Sequence, residues 1–269
     1  MPTLLNDQFH KMNHIPSYWP ILVFLLLLLP AILPVFKPYV TGTADGLGHK
    51  FRLVSFYESL SEGNLRPRWA KEAALGYGAP VFLYNYPLPY YFASLFVRLG
   101  NSINGSGQLL SAFSLLFSAI FMFLAVEKLT GSLLGGLTAA IVYTYAPYHL
   151  QMTYLYDSWG EELAFVFPPL ILYLIFNLAN HFRPHNKFEI INSKHKTNSK
   201  SQNPKTRNIL GFGHLNFSIV SNFDIRTVDF IFLVLCWSLF ILSHNISAVM
   251  FSPVILVLAF VLTRNKVGP

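Results

Sequence analysis

Among the charged or titratable side chains that crowd residues 45–68, just after a long apolar run, six stand out: Asp45, His49, Arg52, Glu58, Glu62 and Arg68. Asp45, His49 and Arg52 stand at i, i+4 and i+7, so a helix would put them on one face, and Glu58 and Glu62 are again four apart. A carboxylate at a helix start, facing imidazole and guanidinium, could hold a divalent metal or act as a general base beside a phosphate-binding cation. The same spacing also fits a solvated amphipathic helix whose charges pair locally. A second acidic group, Asp157, Glu161 and Glu162, stands among aromatic residues in YTYAPYHLQMTYLYDSWGEELAF (143–165). Its plainer role is an interfacial belt with acids facing water. A third polar group, Ser243, His244 and Asn245, fills a short turn between two apolar runs, where such residues commonly satisfy helix ends.

The elements that must position these groups are oily. Of 269 residues, 53% are hydrophobic and only 12% charged. A soluble domain would carry roughly twice that charge, so the composition predicts an all-α, polytopic membrane helix bundle. About six transmembrane helices are expected, at 18–36, 108–126, 132–149, 162–179, 229–243 and 247–263, with Pro30 and Pro34 kinking the first. Thr43 or Asp45 is expected to cap an amphipathic helix reaching about Leu60. The lone cysteine, Cys236, lies in an apolar run and reads as a packing residue.

Segment 80–100 has three prolines and four tyrosines, and is expected to lie on the membrane surface as part of a large outer loop, 37–107. Tyr84 and Tyr86 there could line a groove for a lipid chain or stack on a sugar. If 80–100 does not cross, 12 Lys/Arg and five acids fall on the cytosolic side, against seven and seven outside. The positive-inside tendency then predicts a cytosolic tail, 1–17, and a disordered basic cytosolic loop, 180–228. That loop contacts anionic headgroups rather than nucleic acid, since Phe188 alone interleaves its central basic run. Residues 229–269 would carry the last two spans.

An acid after the first span, then His and Arg, then GNLRPRW and GYGAPVFLYNYPLPYY, resembles bacterial membrane proteins of the 6-pyruvoyl-tetrahydropterin synthase-related family. GGLTAAIVYTYAPYHLQMTYLY, the acids after it and LSHNISAVM fit the same resemblance, which covers about residues 18–263. The amino-terminal half of that family is similar to the GT-C glycosyltransferases. The resemblance implies sugar transfer from a polyprenyl-phosphate donor at the outer face of the cytoplasmic membrane, in service of the cell envelope. Asp45 would be the first-loop acid, and Asp157 or Glu161 the second. His49, Arg52, Arg68, Tyr84, Tyr86, His244 and Asn245 would bind substrate. A divalent ion (Mg or Mn) would sit between Asp45 and Glu161. Tyr154-Leu155-Tyr156-Asp157 departs from the family's Tyr-x-Arg-Gly, which leaves the phosphate contact to Arg52 or Arg68. Relatives run on through more spans, implying a carboxyl-terminal partner chain. The competing expectation is a non-catalytic membrane protein: a lipid-linked sugar transporter, flippase or envelope-assembly subunit. Transfer predicts that Asp45, His49 and the second acid converge.

Overall fold

A computed structural model describes residues 19–37, 43–181 and 225–263. The expected tail 1–17 and nearly all of the basic loop 180–228 lie outside the described residues.

The first helix, α1 (Trp19–Ile32), contains Pro30, and Pro34 then opens a tighter 3-10 turn over Leu33–Phe36. Most of its large apolar side chains are exposed, as expected of a helix whose neighbour is lipid. Tyrosine hydroxyls tie its loosened end to the rest of the fold: Tyr145 donates to the Leu27 carbonyl at 2.7 Å, and Tyr154 donates to that of Ala31.

The outer loop folds into α2 (Gly46–Ser61), α3 (Val81–Tyr84) and α4 (Leu88–Arg98). Asn85 and Pro87 separate the last two, so the 80–100 segment forms helices of four and 11 residues. Neither approaches the roughly 20 residues needed to cross a bilayer. The cap expectation requires correction. Asp45 occupies the N-cap of α2, but its carboxylate makes no cap hydrogen bond, and the Thr43 hydroxyl bonds Asp157. Asp45 has helix-like φ/ψ of −111° and −17°, not the extended backbone that swings a capping side chain back over the first turn.

The longest element is α5 (Ile103–Thr130), 28 residues, capped where the Ser102 hydroxyl accepts from Gly105 N–H at 3.0 Å. Gly131, at φ +68°, ends it in the left-handed conformation that glycine adopts at low cost. The chain then returns as α6 (Leu133–Thr144), packed along α5. Small residues make close packing possible. Ser106, Ser111, Ser114 and Ser118 form a buried stripe on α5, and Ser114 and Ser118 donate to carbonyls of their own helix. Then follow α7 (Pro147–Gln151), a π turn over Met152–Tyr156, α8 (Trp159–Ala164), α9 (Phe167–His181), α10 (Ile225–Ser243) and α11 (Asn245–Thr263). The main core, including Leu53, Phe56, Tyr90, Leu110, Trp159, Ile171 and Phe240, sits where α2, α4, α5, α8, α9 and α10 meet.

The described residues are helical, with one isolated bridge between Ala70 and Ala79. Among the described residues, three helices, rather than about six, are long and apolar enough to cross a membrane: Trp19–Phe36, Ile103–Thr130 and Trp159–Ala179. The expected span 132–149 stops at Thr144, because Pro147 ends the run, leaving 12 residues or roughly 18 Å of helix. The last two apolar stretches, Thr227–Ser243 and Asn245–Val261, are divided at His244 and each reach roughly 26 Å.

Candidate functional site

The two acidic segments meet through the backbone. Ala44 N–H donates to the Leu155 carbonyl at 3.2 Å, and Asp45 N–H to that of Tyr156 at 2.9 Å. The π turn delivers Asp157 in a left-handed conformation, φ 54° and ψ 49°, which aspartate tolerates better than most side chains. Its carboxylate is gripped on both sides. Trp159 Nε1 donates to Oδ1 at 2.8 Å, and the Thr43 hydroxyl also hydrogen-bonds it. Burial outweighs these bonds and holds the Asp157 carboxyl above its usual range.

This approach needs a glycine. A Cβ on Gly46 would stand 2.1 Å from Asp157 Oδ2 and 2.3 Å from Thr43 Oγ1. Gly46→Ala is expected to push the two segments apart and cost about 1–3 kcal/mol. Gly48 is the control, since its Cβ would meet only Arg52 atoms at 4.0 Å. Gly48→Ala should instead stabilise by about 0.5–1 kcal/mol through helix propensity. Thermal unfolding of the detergent-solubilised protein checks both signs.

Behind Asp45, aromatic rings enclose His49, which is 1% exposed. It stacks on Trp159 with centroids 5.2 Å apart and an interplanar angle of 14°. Its Nδ1 is 2.8 Å from the Tyr90 hydroxyl. Burial, then the nearby Arg52 and His244, lower its pKa to about 3. His49 is therefore neutral at pH 7 and a poor proton acceptor, suited instead to fixing Tyr90. Arg52 is half-buried beside Tyr90 and hydrogen-bonds it. Desolvation still pushes the Tyr90 hydroxyl up to about 12, so it stays protonated and able to donate.

Tyr86 packs on His244, centroids 4.8 Å apart, and a Cβ on Gly160 would strike the Tyr86 ring at 2.2 Å. His244 serves the fold as well. Its Nδ1 accepts from Ser247 N–H at 3.2 Å, capping α11, which leaves the ring proton on Nε2. Glu161 Oε1 lies 3.9 Å from Nδ1 of the same ring, and the Tyr148 hydroxyl donates to the Glu161 carboxylate at 3.4–3.5 Å. Asp45 itself is exposed and lies within electrostatic reach of both Asp157 and Glu161.

The structure thus gathers Asp45, His49, Arg52, Tyr86, Asp157, Glu161 and His244. Arg68 and Tyr84 are not gathered: both are exposed, and no hydrogen bond or ring contact among the described residues links either to the cluster. Asn245 is exposed, and its amide oxygen accepts from Ile246 N–H at 2.9 Å. Glu62 pairs with Lys71 on the exposed surface. Sequence reasoning passed over Tyr90 and Trp159, the two residues that hold His49 and Asp157. Their signal was weak, because tyrosine and tryptophan are ordinary at membrane interfaces. Glu162 was seen only as one of a group. It is fully buried, with the Ser111 side chain beside its carboxylate.

Among the described residues, no three His, Cys, Asp or Glu side chains are grouped to hold a metal ion. The Asp45–Glu161 pair lacks a third such donor, so no chemical step is drawn through a metal.

No family model matches the chain, and no solved structure matches it. A protein from Lactococcus lactis subsp. cremoris, described only as uncharacterized, is 26% identical over 171 residues. The match covers 62% of this chain and 27% of that relative, so the chain spans about a quarter of the relative's length.

Proposed function

We propose that this protein is a membrane glycosyltransferase of the GT-C type, moving a sugar from a polyprenyl-phosphate donor to a hydroxyl acceptor. Its place would be the outer face of the bacterial cytoplasmic membrane, with the amino terminus cytosolic. One observation carries the reading: backbone hydrogen bonds join residues 44–45 to 155–156, placing the first-loop acid beside the second acidic segment. In the proposed reaction the acceptor hydroxyl gives its proton to Asp45 and its oxygen bonds to the anomeric carbon. The bond from that carbon to the donor phosphate breaks, and the lipid phosphate leaves as an anion. Arg52 would neutralise the growing phosphate charge, while Asp157 and Glu161 would hold sugar hydroxyls.

Reconstituted protein with a polyprenyl-phosphate sugar, with and without Mg or Mn, tests this. Asp45→Asn should lower transfer by about 100-fold while leaving thermal stability unchanged, since Asp45 is exposed and its side chain caps nothing. A second reading, a non-catalytic carrier of lipid-linked sugars, draws on the structural duties of Asp157 and His244. It predicts donor binding without transfer, insensitive to Asp45→Asn.

A further inference from the structure

A cavity of about 260 Å³ opens on the other side of Asp157, between the end of α1 and the first turns of α5. Lys37 and Lys50 supply two cations, and Asn104, Gln108, Ser111 and Asp157 supply hydrogen-bonding groups. We infer that this cavity binds a phosphorylated polyol, with the phosphate on the two lysines and the hydroxyls on the amides, Ser111 and Asp157.

The chemistry follows from the lining. Lys37 and Lys50 outnumber the single lining carboxylate, Asp157, and this positive balance favours an anion. The start of α5 adds to the attraction. Ser102 takes Gly105 N–H with its hydroxyl and Ser106 N–H with its carbonyl. The N–H groups of Ile103 and Asn104 then have no partner within the helix, at the positive end of a 28-residue dipole. Gln108 Nε2 donates to the Lys37 carbonyl at 3.3 Å, which fixes the lysine's backbone against α5 and leaves the amide oxygen to accept. Asp157 presents an acceptor for hydroxyls, with Lys50 within electrostatic reach of it. Beside Ser111 lies the buried Glu162, whose carboxylate the Ser111 side chain faces, so a ligand hydroxyl on Ser111 would extend a polar chain inward. The volume lies just under the ~300 Å³ of ordinary small-ligand sites, room for one sugar-sized unit.

The polyol phosphate has two possible sources, a free metabolite or a lipid headgroup, because Lys37 directly follows the Trp19–Phe36 span. The test uses the whole chain in phosphatidylcholine nanodiscs. Calorimetric titration with inositol 1-phosphate should show binding at least about tenfold tighter than with myo-inositol. Nanodiscs doped with phosphatidylinositol present the same headgroup from the lipid. A rise in thermal midpoint there, without binding of the soluble phosphate, identifies the lipid as the source. Lys37→Gln and Lys50→Gln should each weaken whichever form binds by about tenfold. Lys71→Gln, at an exposed pair outside the cavity, should leave binding unchanged. Equal affinity for inositol and its phosphate overturns the assignment, as do equal losses from Lys71→Gln or no response in either arm. Since binding is read without turnover, failure of sugar transfer leaves this result standing, and the reverse also holds.

Discussion

Trp159→Ala should be the most damaging single substitution, lowering stability by about 3–5 kcal/mol from lost packing alone. The side chain is fully buried, and its ring covers His49 and fills the space left by Gly107, where a Cβ would lie 2.4 Å from the indole. Truncation also strips Asp157 Oδ1 of its donor, which adds the cost of a buried acceptor left short, about 1–3 kcal/mol. Trp159→Phe separates the two effects. It keeps one aromatic ring but loses the N–H and part of the bicycle, so its cost should fall between the second figure and that of Ala. Chemical denaturation of the detergent-solubilised protein measures both. If Phe costs as much as Ala, the hydrogen bond to Asp157 governs the site; if it costs nothing, the indole is only filler.

The convergence of the acids was legible because it depends on coarse placement. Asp45 and Asp157 each follow directly on an apolar run, and the backbone pairing at 44–45 and 155–156 needs no particular side chain. The supporting residues were not legible. Tyr90 and Trp159 have the composition of an interfacial belt, and only packing distinguishes a ring facing lipid from one stacked on His49. Span counting went astray for a related reason: apolar composition does not register where a helix stops. Pro147 breaks a run that looks continuous in content, and the two apolar runs on either side of His244, separated as expected, are each too short, leaving three helices of crossing length among the described residues. Arg68 and Tyr84 were placed in the site by motif proximity, yet the 3-10 turn at Ala74–Gly76, with Ala74 and Leu75 at positive φ, redirects the chain between them.

Acidification should destabilise the fold steeply below about pH 6.5. His49 and His149 are 1% and 2% exposed, and burial lowers them to about 3 and about 4 from an ordinary 6.5. In the unfolded chain both protonate near pH 6.5, while in the folded protein they remain neutral until far lower. Between those values the unfolded state binds more protons, so stability is complete above 6.5 and is lost as pH falls. Each histidine contributes a slope of about 1.4 kcal/mol per pH unit, so the pair would remove up to about 4 kcal/mol by pH 5. Asp157 acts in the opposite sense, because its raised carboxyl binds a proton more readily folded than unfolded. That contribution begins only near the ordinary carboxylate range and cannot cancel the histidine loss just below 6.5. Thermal midpoints between pH 7.5 and 5 should therefore fall continuously for the native protein. The double variant His49→Gln, His149→Gln should start lower, because the Tyr90 hydroxyl loses its histidine partner, and should then fall less steeply, the remaining slope coming from His244, whose pKa burial also lowers. An equally steep profile in the double variant would place the acid sensitivity elsewhere and remove the case for His49 as the neutral ring that positions Tyr90.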